Sequence, residues 1–400
     1  MVAAHDSKSC LVRGAGSSPA SGTSKNKVRI WEGEIVSRRP TKSLRLVPAL
    51  TQIYKKIKGI RGYRAMQWIS YTRHNHNMEK YSEGVAQKEA EMLREKVESG
   101  KASDYADAEK QLHNMERDRY FGVCDVISPE QARAMADELR LNRKNPDRKI
   151  MIGVMTHPIV LDPDLPVPKK VREEVSKEFP TTEEIAGGFT DDPDVLNTIH
   201  YADLYGPNGP WKAEESPDIL KNLELCVQYG GENLHAIQLD VTWPDSNELK
   251  KFKEKYPNIV IVLQIGKFAI NAVNSEPEEV VNRLREYEES IDFALLDMSM
   301  GMGKDMEAGG LLPLLRLIHT ELPYLGLAVA GGLGPNSMDL LEPIAKEFPG
   351  IAIDAQGRLK PADAPRDSSG HIISTLPADL EMSKEYIQKS CTMLDNFNAA

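Results

Sequence analysis

The chain has 400 residues, of which 40% are hydrophobic and 28% are charged, a composition typical of a globular protein with a large core. No run of about 18 apolar residues occurs, so the sequence predicts no membrane-spanning helix. The four cysteines lack CxxC or CxxH spacing, which indicates reduced thiols and favours a cytoplasmic protein.

Positive charge is concentrated near the N-terminus. Residues 25–77 contain thirteen lysines and arginines against two glutamates, whereas the whole chain has a net charge of −10. The preceding stretch, LVRGAGSSPASGTS, looks like the translated 3′ half of a transfer-RNA gene, so we interpret residues 1–77 as a disordered or foreign leader. A genuine basic arm that binds nucleic acid or a membrane surface is one alternative, and a targeting peptide is another. Without a genuine arm we expect no nucleic-acid partner.

Residues 78–119 are polar and rich in Glu, Lys, Ala and Gln, which predicts a helical extension. From Tyr120 onwards, short apolar runs alternate with amphipathic segments, and eight strands each followed by a helix predict a parallel (β/α)8 barrel over residues 120–400. The predicted strands are Tyr120–Val126, Lys149–Met155, Thr198–Leu204, Leu234–Asp240, Ile259–Ile265, Phe293–Asp297, Leu325–Ala330 and Ile351–Asp354. The proline-rich link over residues 156–197 is expected to form an extended loop over the active face.

Two glycine-rich turns follow the last two predicted strands. Gly331, Gly332 and Gly334 come after the seventh strand, and Gly357 comes after the eighth. The Pro-Asn-Ser sequence at 335–337 then opens a helix whose first turn Asn or Ser can cap. Backbone N–H groups at such turns and helix starts bind phosphate in (β/α)8 barrels, so we predict a phosphate site here.

In such a barrel the chemistry lies where strands end. The predicted strand ends carry Cys124, Asp125, His157, Asp203, Asp240, Gln264, Asp297 and Asp354. Cys124 lies just before a helix, and a helix N-terminus lowers the pKa of a thiol, so we predict that Cys124 acts as a base. Asp297 ends the apolar strand FALLD, where burial favours a protonated carboxyl and an acid role. A buried structural cysteine and a loop-capping aspartate are the plainer interpretations. Together with a phosphate site, the two residues favour isomerisation of a sugar phosphate.

Several segments between residues 120 and 358 resemble phosphoribosylanthranilate isomerase in order and spacing. They are YFGVCDVISPEQARAMA, NLHAIQLD, IDFALLDMSMGMGKD, AGGLGPNSM and IDAQGR. The resemblance implies that Cys124 is the general base, that Asp297 is the general acid, and that Gly303 and Lys304 lie in the sixth loop beside the substrate. It further implies an Amadori rearrangement of N-(5-phosphoribosyl)anthranilate, a step of tryptophan biosynthesis, with no metal or organic cofactor.

The sequence departs from that family at several positions. Asp125 stands where the family has glycine and Asp240 where it has histidine, which leaves the exact substrate open. Asp240 and Asp354 are further candidates for substrate binding, as is Arg172 in place of the family's arginine after the second strand. We expect a small sugar phosphate as the partner and a monomer or homodimer.

Two other functions are compatible with the same sequence. A metal-dependent sugar-phosphate epimerase would use ligands at the strand ends, chosen from His157, Asp203, Asp240 and Asp354. A non-catalytic barrel would only bind a phosphate ligand. The non-catalytic barrel is favoured by Asp240 in the fourth strand and by the absence of the family's Phe-Asp-Trp sequence after Lys304.

Overall fold

Eight parallel strands pair in chain order and close into a barrel, because the eighth strand also pairs with the first. They are β1 (Arg119–Cys124), β2 (Arg148–Thr156), β3 (Val195–Ala202), β4 (Ala236–Asp240), β5 (Val260–Gly266), β6 (Phe293–Asp297), β7 (Gly326–Ala330) and β8 (Ala352–Ala355). The predicted (β/α)8 barrel is confirmed, and every predicted strand overlaps an observed one. The largest boundary difference is in β3, which both begins and ends earlier than predicted.

The computed structural model describes residues 119–146, 148–177, 179–203, 218–297, 308–361, 363–365 and 376–398. The predicted leader, residues 1–77, and the predicted helical extension, residues 78–119 except its last residue, lie outside these ranges. Gly303 and Lys304 lie outside them as well. Within the described ranges, no helix has the length and apolar character needed to cross a membrane.

Helices connect the strands around the outside of the barrel. They are α1 (Pro129–Asn142), α2 (Pro158–Leu161), α3 (Lys169–Val175), α4 (Ile219–Gly230), α5 (Ser246–Lys255), α6 (Lys267–Ala272), α7 (Pro277–Arg285), α8 (Ala308–Glu321), α9 (Glu342–Glu347) and α10 (Leu380–Asn398). Ser128, Asp218 and Asp245 begin α1, α4 and α5, since each side chain accepts a hydrogen bond from a backbone N–H in the first turn of its helix. These caps fix where the chain turns from the strand ends into the helices.

The expectation that the link between β2 and β3 is an extended loop is wrong, although the amphipathic pattern over Lys170–Lys177 does predict a helix there and α3 confirms it. This link contains α2, α3 and a 3-10 turn at Ile185–Gly188. Pro158 occupies the first turn of α2 and Pro168 precedes α3, so these prolines start helices rather than prevent them. Gly188 passes so close to the segment after β1 that an added Cβ would lie 2.6 Å from the carbonyl oxygen of Val126. The link therefore packs against the barrel wall.

Alternation along the strands gives the barrel two different faces. Outward side chains such as Val123, Ile237 and Leu296 pack with the helices in one large hydrophobic core. Inward side chains in the lower barrel form a second apolar cluster that includes Tyr120 and Phe293, whose rings meet edge to face. Above that cluster, the inward positions near the C-terminal strand ends are polar, and these positions form the floor of the mouth.

Candidate active site

Six buried polar side chains lie inside the barrel near the C-terminal ends of its strands. This polar layer consists of Cys124 (β1), His200 (β3), Gln238 (β4), Gln264 (β5), Asp297 (β6) and Asp354 (β8). The carboxyl ends of parallel strands meet at one face of a barrel, which brings together residues that are far apart in sequence. Asp240 lies half-buried at the end of β4, beside this layer.

Hydrogen bonds connect the polar layer from Cys124 to Asp297. The Sγ atom of Cys124 lies 3.8 Å from each carboxylate oxygen of Asp354. The Gln238 amide nitrogen donates both to Asp354, over 3.0 Å, and to Gln264, over 3.0 Å. The Gln264 amide nitrogen in turn donates to Asp297 over 3.3 Å. The structure thus brings the two residues predicted to be base and acid, Cys124 and Asp297, into one network.

The environment of Cys124 differs from the one predicted. Burial raises the pKa of its thiol well above the usual value, and the neighbouring charges of Asp354 and Asp125 raise the pKa further. The prediction that the following helix would lower this pKa is wrong. Cys124 is only 2% exposed, and four residues separate it from the first residue of α1. Cys124 is therefore a neutral thiol at pH 7, not a thiolate.

Two carboxyl groups of the mouth titrate near neutral pH. Burial raises the pKa of Asp354 to about 6, with a further contribution from the charge of Asp297, although the hydrogen bond from Gln238 opposes the shift. Burial also raises the pKa of Asp240 to about 8, and the charges of Asp297 and Asp203 add to that shift. Close carboxyl groups share protons because they cannot all ionise together without repulsion.

His200 and Gln238 are the two residues of the polar layer that were not predicted from the sequence, and His200 is the titratable one. Its Nδ1 atom lies 3.4 Å from Sγ of Cys124, and the side chain is 5% exposed. Burial lowers its pKa to about 4, so the imidazole is neutral at pH 7. The alternation of Leu196, Thr198 and His200 on one face of β3 was a signal that could have identified it, because this face points into the barrel.

Asp125 has a structural partner that the sequence did not reveal. Its backbone has φ = 64°, the left-handed conformation that glycine adopts without strain and that Asp adopts more readily than most residues. Its carboxylate lies 2.6 Å from the Lys360 ammonium and accepts a hydrogen bond from Gln356 over 3.1 Å. The negative charge that Asp125 brings close to Cys124 is therefore already accompanied by the cation of Lys360.

The glycine turns after β7 and β8 pack against each other. Gly331 and Gly332 both have positive φ angles, 121° and 65°, so side chains other than glycine would be strained there. Gly334 packs so tightly on Arg358 that an added Cβ would lie 2.7 Å from the Arg358 Cβ. Gly357 begins a 3-10 turn, Gly357–Leu359. The two predicted phosphate turns thus form one surface of neighbouring loops.

The predicted cap after this turn is not formed. The Ser337 hydroxyl donates to the Gly332 carbonyl over 2.6 Å and makes no bond to the following turn. The predicted single helix is divided into a 3-10 turn, Met338–Leu341, and the short α9. Any phosphate grip at these loops therefore depends on the glycine backbone rather than on a long helix.

Replacing Gly332 by valine should weaken the binding of inorganic phosphate at least about tenfold, because a side chain at this turn blocks close approach to the backbone. Gly231 is a matched control, since it has nearly the same φ, 66°, and no atom within 4 Å of an added Cβ. Gly231→Val should cause similar backbone strain without loss of phosphate affinity. Isothermal titration calorimetry measures both, and equal affinities in the two variants would place the anion elsewhere.

Two residues predicted from the second strand end have structural roles. Arg172 donates to the carbonyl oxygens of Ile159, Asp162 and Leu165, at 3.1 Å for Asp162 and 2.8 Å for Leu165. Its guanidinium holds the β2–β3 link together, and this use conflicts with the predicted grip on substrate. The Nδ1 atom of His157 accepts a hydrogen bond from the Ile159 N–H over 3.1 Å, which starts α2.

The donor set for the alternative metal-dependent epimerase is not assembled in the described ranges. In these ranges no three His, Cys, Asp or Glu side chains lie close enough together to hold a metal ion. His157, one of the proposed ligands, uses Nδ1 as a helix cap. Asp203 and Asp240 do influence each other electrostatically, but that influence raises the pKa of Asp240 and so favours a proton there.

Comparison with known proteins adds little to this geometry. No protein-family model and no curated protein matches the chain. Among solved structures, a protein from Aquifex aeolicus VF5 is similar at 12% identity over 73% of this chain and 96% of its own, with a TM-score of 0.36. The sialic acid synthetase of Leptospira borgpetersenii serovar Hardjo-bovis is similar at 10% identity over 70% and 83%, with a TM-score of 0.39. Triosephosphate isomerase from Bartonella henselae is similar at 11% identity over 67% and 99%, with a TM-score of 0.34. The closed barrel of this chain is thus established by its own strand pairing.

Proposed function

We propose that the chain is an enzyme that isomerises a small sugar phosphate by general acid–base catalysis. One observation carries the proposal: the buried polar side chains in a single barrel mouth are joined by hydrogen bonds through Asp354, Gln238, Gln264 and Asp297, with Asp240 beside them. The carboxyl groups of Asp354 and Asp240 have pKa values raised to about 6 and about 8. General acids and bases work best when their pKa lies near the working pH. Between these two values, one group is mainly ionised and the other is mainly protonated, as isomerisation requires.

The roles follow from the two environments. Asp354 is ionised at neutral pH and lies within the hydrogen-bonded layer, so it is the final acceptor of the proton that leaves carbon. Asp240 holds a proton that the charge of Asp297 helps to retain, so Asp240 supplies the acid. Asp297 thus supports the acid through its charge, whereas Asp240 is the residue that donates the proton.

The proposed substrate class, a sugar phosphate, follows from the acid–base groups of the mouth and from the two adjoining glycine loops. The turns after β7 and β8 offer glycine backbone for a phosphate, and Arg358 adds positive charge beside Gly334. The sequence resemblance favours N-(5-phosphoribosyl)anthranilate, whose Amadori rearrangement needs an acid at the ring oxygen and a base at C2′. The substrate nitrogen itself serves as the electron sink in this rearrangement.

The proposal predicts a bell-shaped pH dependence of kcat/KM. Activity should rise as the pH increases through about 6, where Asp354 loses its proton, and fall through about 8, where Asp240 loses its proton. Asp240→Asn should remove the alkaline limb and lower kcat roughly 10²–10⁴-fold. Asp191→Asn, at an exposed aspartate, is the control and should leave the profile unchanged.

The measurement is turnover of N-(5-phosphoribosyl)anthranilate by the full chain, followed across pH for the wild type and both variants. A wild type that binds phosphate and this substrate without turnover would favour the non-catalytic binding barrel instead. Turnover by Asp240→Asn at the wild-type rate would remove Asp240 from the acid role.

A further inference from the structure

The inward ends of β1, β3 and β8 place three proton-bearing groups in a row. Asp354 contacts the Cys124 sulfur with both carboxylate oxygens at 3.8 Å, and the same sulfur lies 3.4 Å from Nδ1 of His200. A thiol has one proton to donate and a sulfur that can accept. Cys124 therefore has one partner on each side, a carboxylate and an imidazole.

At the His200 end of this row, one ring nitrogen makes no hydrogen bond within the described part of the chain. Nε2 of His200 is buried and has no hydrogen-bond partner in the described ranges. The polar neighbour on the next strand, Gln238, already uses its amide nitrogen on Asp354 and Gln264. A buried polar atom without a partner costs free energy, so its retention inside a mouth of this kind points to a ligand or substrate atom that completes it.

We propose that Cys124 is a proton relay between His200 and Asp354, and that Nε2 of His200 is the atom that takes the proton from substrate. The relay concerns only this chain's own groups, whereas the substrate step rests on the isomerase function proposed above. As a relay, Cys124 acts as a neutral thiol. The inference also adds His200 as a catalytic residue.

The protons balance in this step, and neither the imidazole of His200 nor the thiol of Cys124 is charged before or after it. Before the step, Asp354 is ionised, the thiol proton points to Asp354, Nδ1 of His200 carries a proton directed at sulfur, and Nε2 is an acceptor. When Nε2 takes a proton from carbon, Nδ1 passes its proton to sulfur and sulfur passes its proton to Asp354. At the end Asp354 and Nε2 are protonated, and the electron pair of the broken C–H bond remains on the substrate.

This arrangement is consistent with the electrostatics of the row. Burial raises the thiol pKa and lowers the imidazole pKa, so each of these groups is held neutral. Only the carboxyl group of Asp354, whose pKa is raised to about 6, changes charge near neutral pH. The relay thus couples the tautomer of His200 to the proton on Asp354.

Nitrogen-15 NMR of the full chain labelled at histidine tests the relay at one pH. In the wild type at pH 7.5, a value near neutrality where Asp354 is mainly ionised, His200 should carry its proton on Nδ1. Asp354→Asn mimics the protonated carboxyl and should move this proton to Nε2. His157 and His235 are internal references, since their Nδ1 atoms accept backbone N–H bonds and their protons are therefore on Nε2.

Removing the thiol should uncouple the two ends. Cys124→Ala should give the same His200 spectrum with Asp354 present and with Asp354→Asn, whereas Cys226→Ala, at another buried cysteine, should preserve the difference. An unchanged His200 tautomer in Asp354→Asn would overturn the relay, as would a difference that survives Cys124→Ala.

If Asp354→Asn fails to fold, infrared spectroscopy of the wild type replaces it. The S–H stretching band lost in Cys124→Ala should lie at lower frequency than the band lost in Cys391→Ala, and equal frequencies would overturn the relay.

Kinetics test the substrate step separately. His200→Gln should lower kcat roughly 10²–10⁴-fold with little change in KM, whereas His319→Gln, at an exposed histidine of α8, should leave both unchanged. Wild-type kcat in His200→Gln would remove His200 from catalysis. If the wild type turns over no sugar phosphate, the proposed isomerase function fails, while the NMR and infrared results still decide the relay.

Discussion

Replacing Gly122 by alanine should lower kcat about 10²–10⁴-fold while costing only about 1–3 kcal/mol of stability. Gly122 of β1 pairs with Asp354 of β8, and an added Cβ would lie 2.1 Å from Oδ1 of Asp354. The added Cβ would also lie 2.8 Å from Cγ and 3.2 Å from Cα of Asp354, so the whole carboxyl group must rotate away from its present position. That movement would break its hydrogen bond with Gln238 and its contact with Cys124.

The control for this variant is Gly310→Ala. Gly310 lies in α8, and an added Cβ there has no neighbour within 4 Å, so alanine should leave activity unchanged and leave stability unchanged or slightly higher. Activity is measured as turnover, and stability as the midpoint of urea unfolding. Normal turnover in Gly122→Ala would show that the position of the Asp354 carboxylate is not needed for catalysis. Loss of activity accompanied by global unfolding would show instead that Gly122 is required mainly for packing.

Replacing Lys360 by methionine should destabilise the protein by about 3–5 kcal/mol, because it leaves the buried carboxylate of Asp125 without its cation. The two side chains are 2% and 7% exposed and lie 2.6 Å apart. Lys360 also donates to the carbonyl oxygen of Leu376, which attaches the segment before α10 to the barrel. Burial already raises the pKa of Asp125, and loss of the Lys360 charge, which opposes that shift, should raise the pKa further.

A double variant separates the broken ion pair from lost packing. Asn tolerates the left-handed backbone at position 125, so adding Asp125→Asn to Lys360→Met should recover a substantial part of the lost stability. Lys250→Met, which breaks the exposed pair with Glu289, should have no comparable effect. Urea unfolding of the wild type, Lys360→Met, Asp125→Asn and the double variant gives the coupling energy between Asp125 and Lys360. A coupling near zero would show that this ion pair does not stabilise the fold.

The sequence determined the barrel and the location of its mouth. Apolar runs at regular intervals are a local property of the chain, and eight of them followed by helices leave few arrangements other than a closed parallel barrel. Strand ends can be read from the same pattern, so Cys124, Asp297 and Asp354 were predicted to share one face. The glycines of the seventh and eighth loops were recognised because a turn with positive φ favours glycine, as Gly331 and Gly332 do.

The sequence could not determine the protonation of this mouth. The pKa of Cys124 depends on burial and on Asp354, a residue 230 positions away, and this environment reversed the direction expected from the nearby helix. Arg172 was predicted to bind substrate because the resembled family has an arginine after its second strand. In the structure, its guanidinium instead donates to carbonyl groups of its own loop. Tertiary structure decided these points because pKa values and hydrogen bonds depend on which distant strands become neighbours. The pairing of β8 with β1 that closes the barrel brings the Asp354 side chain against Gly122. The same pairing places the Cys124 thiol between the Asp354 carboxylate and the His200 imidazole.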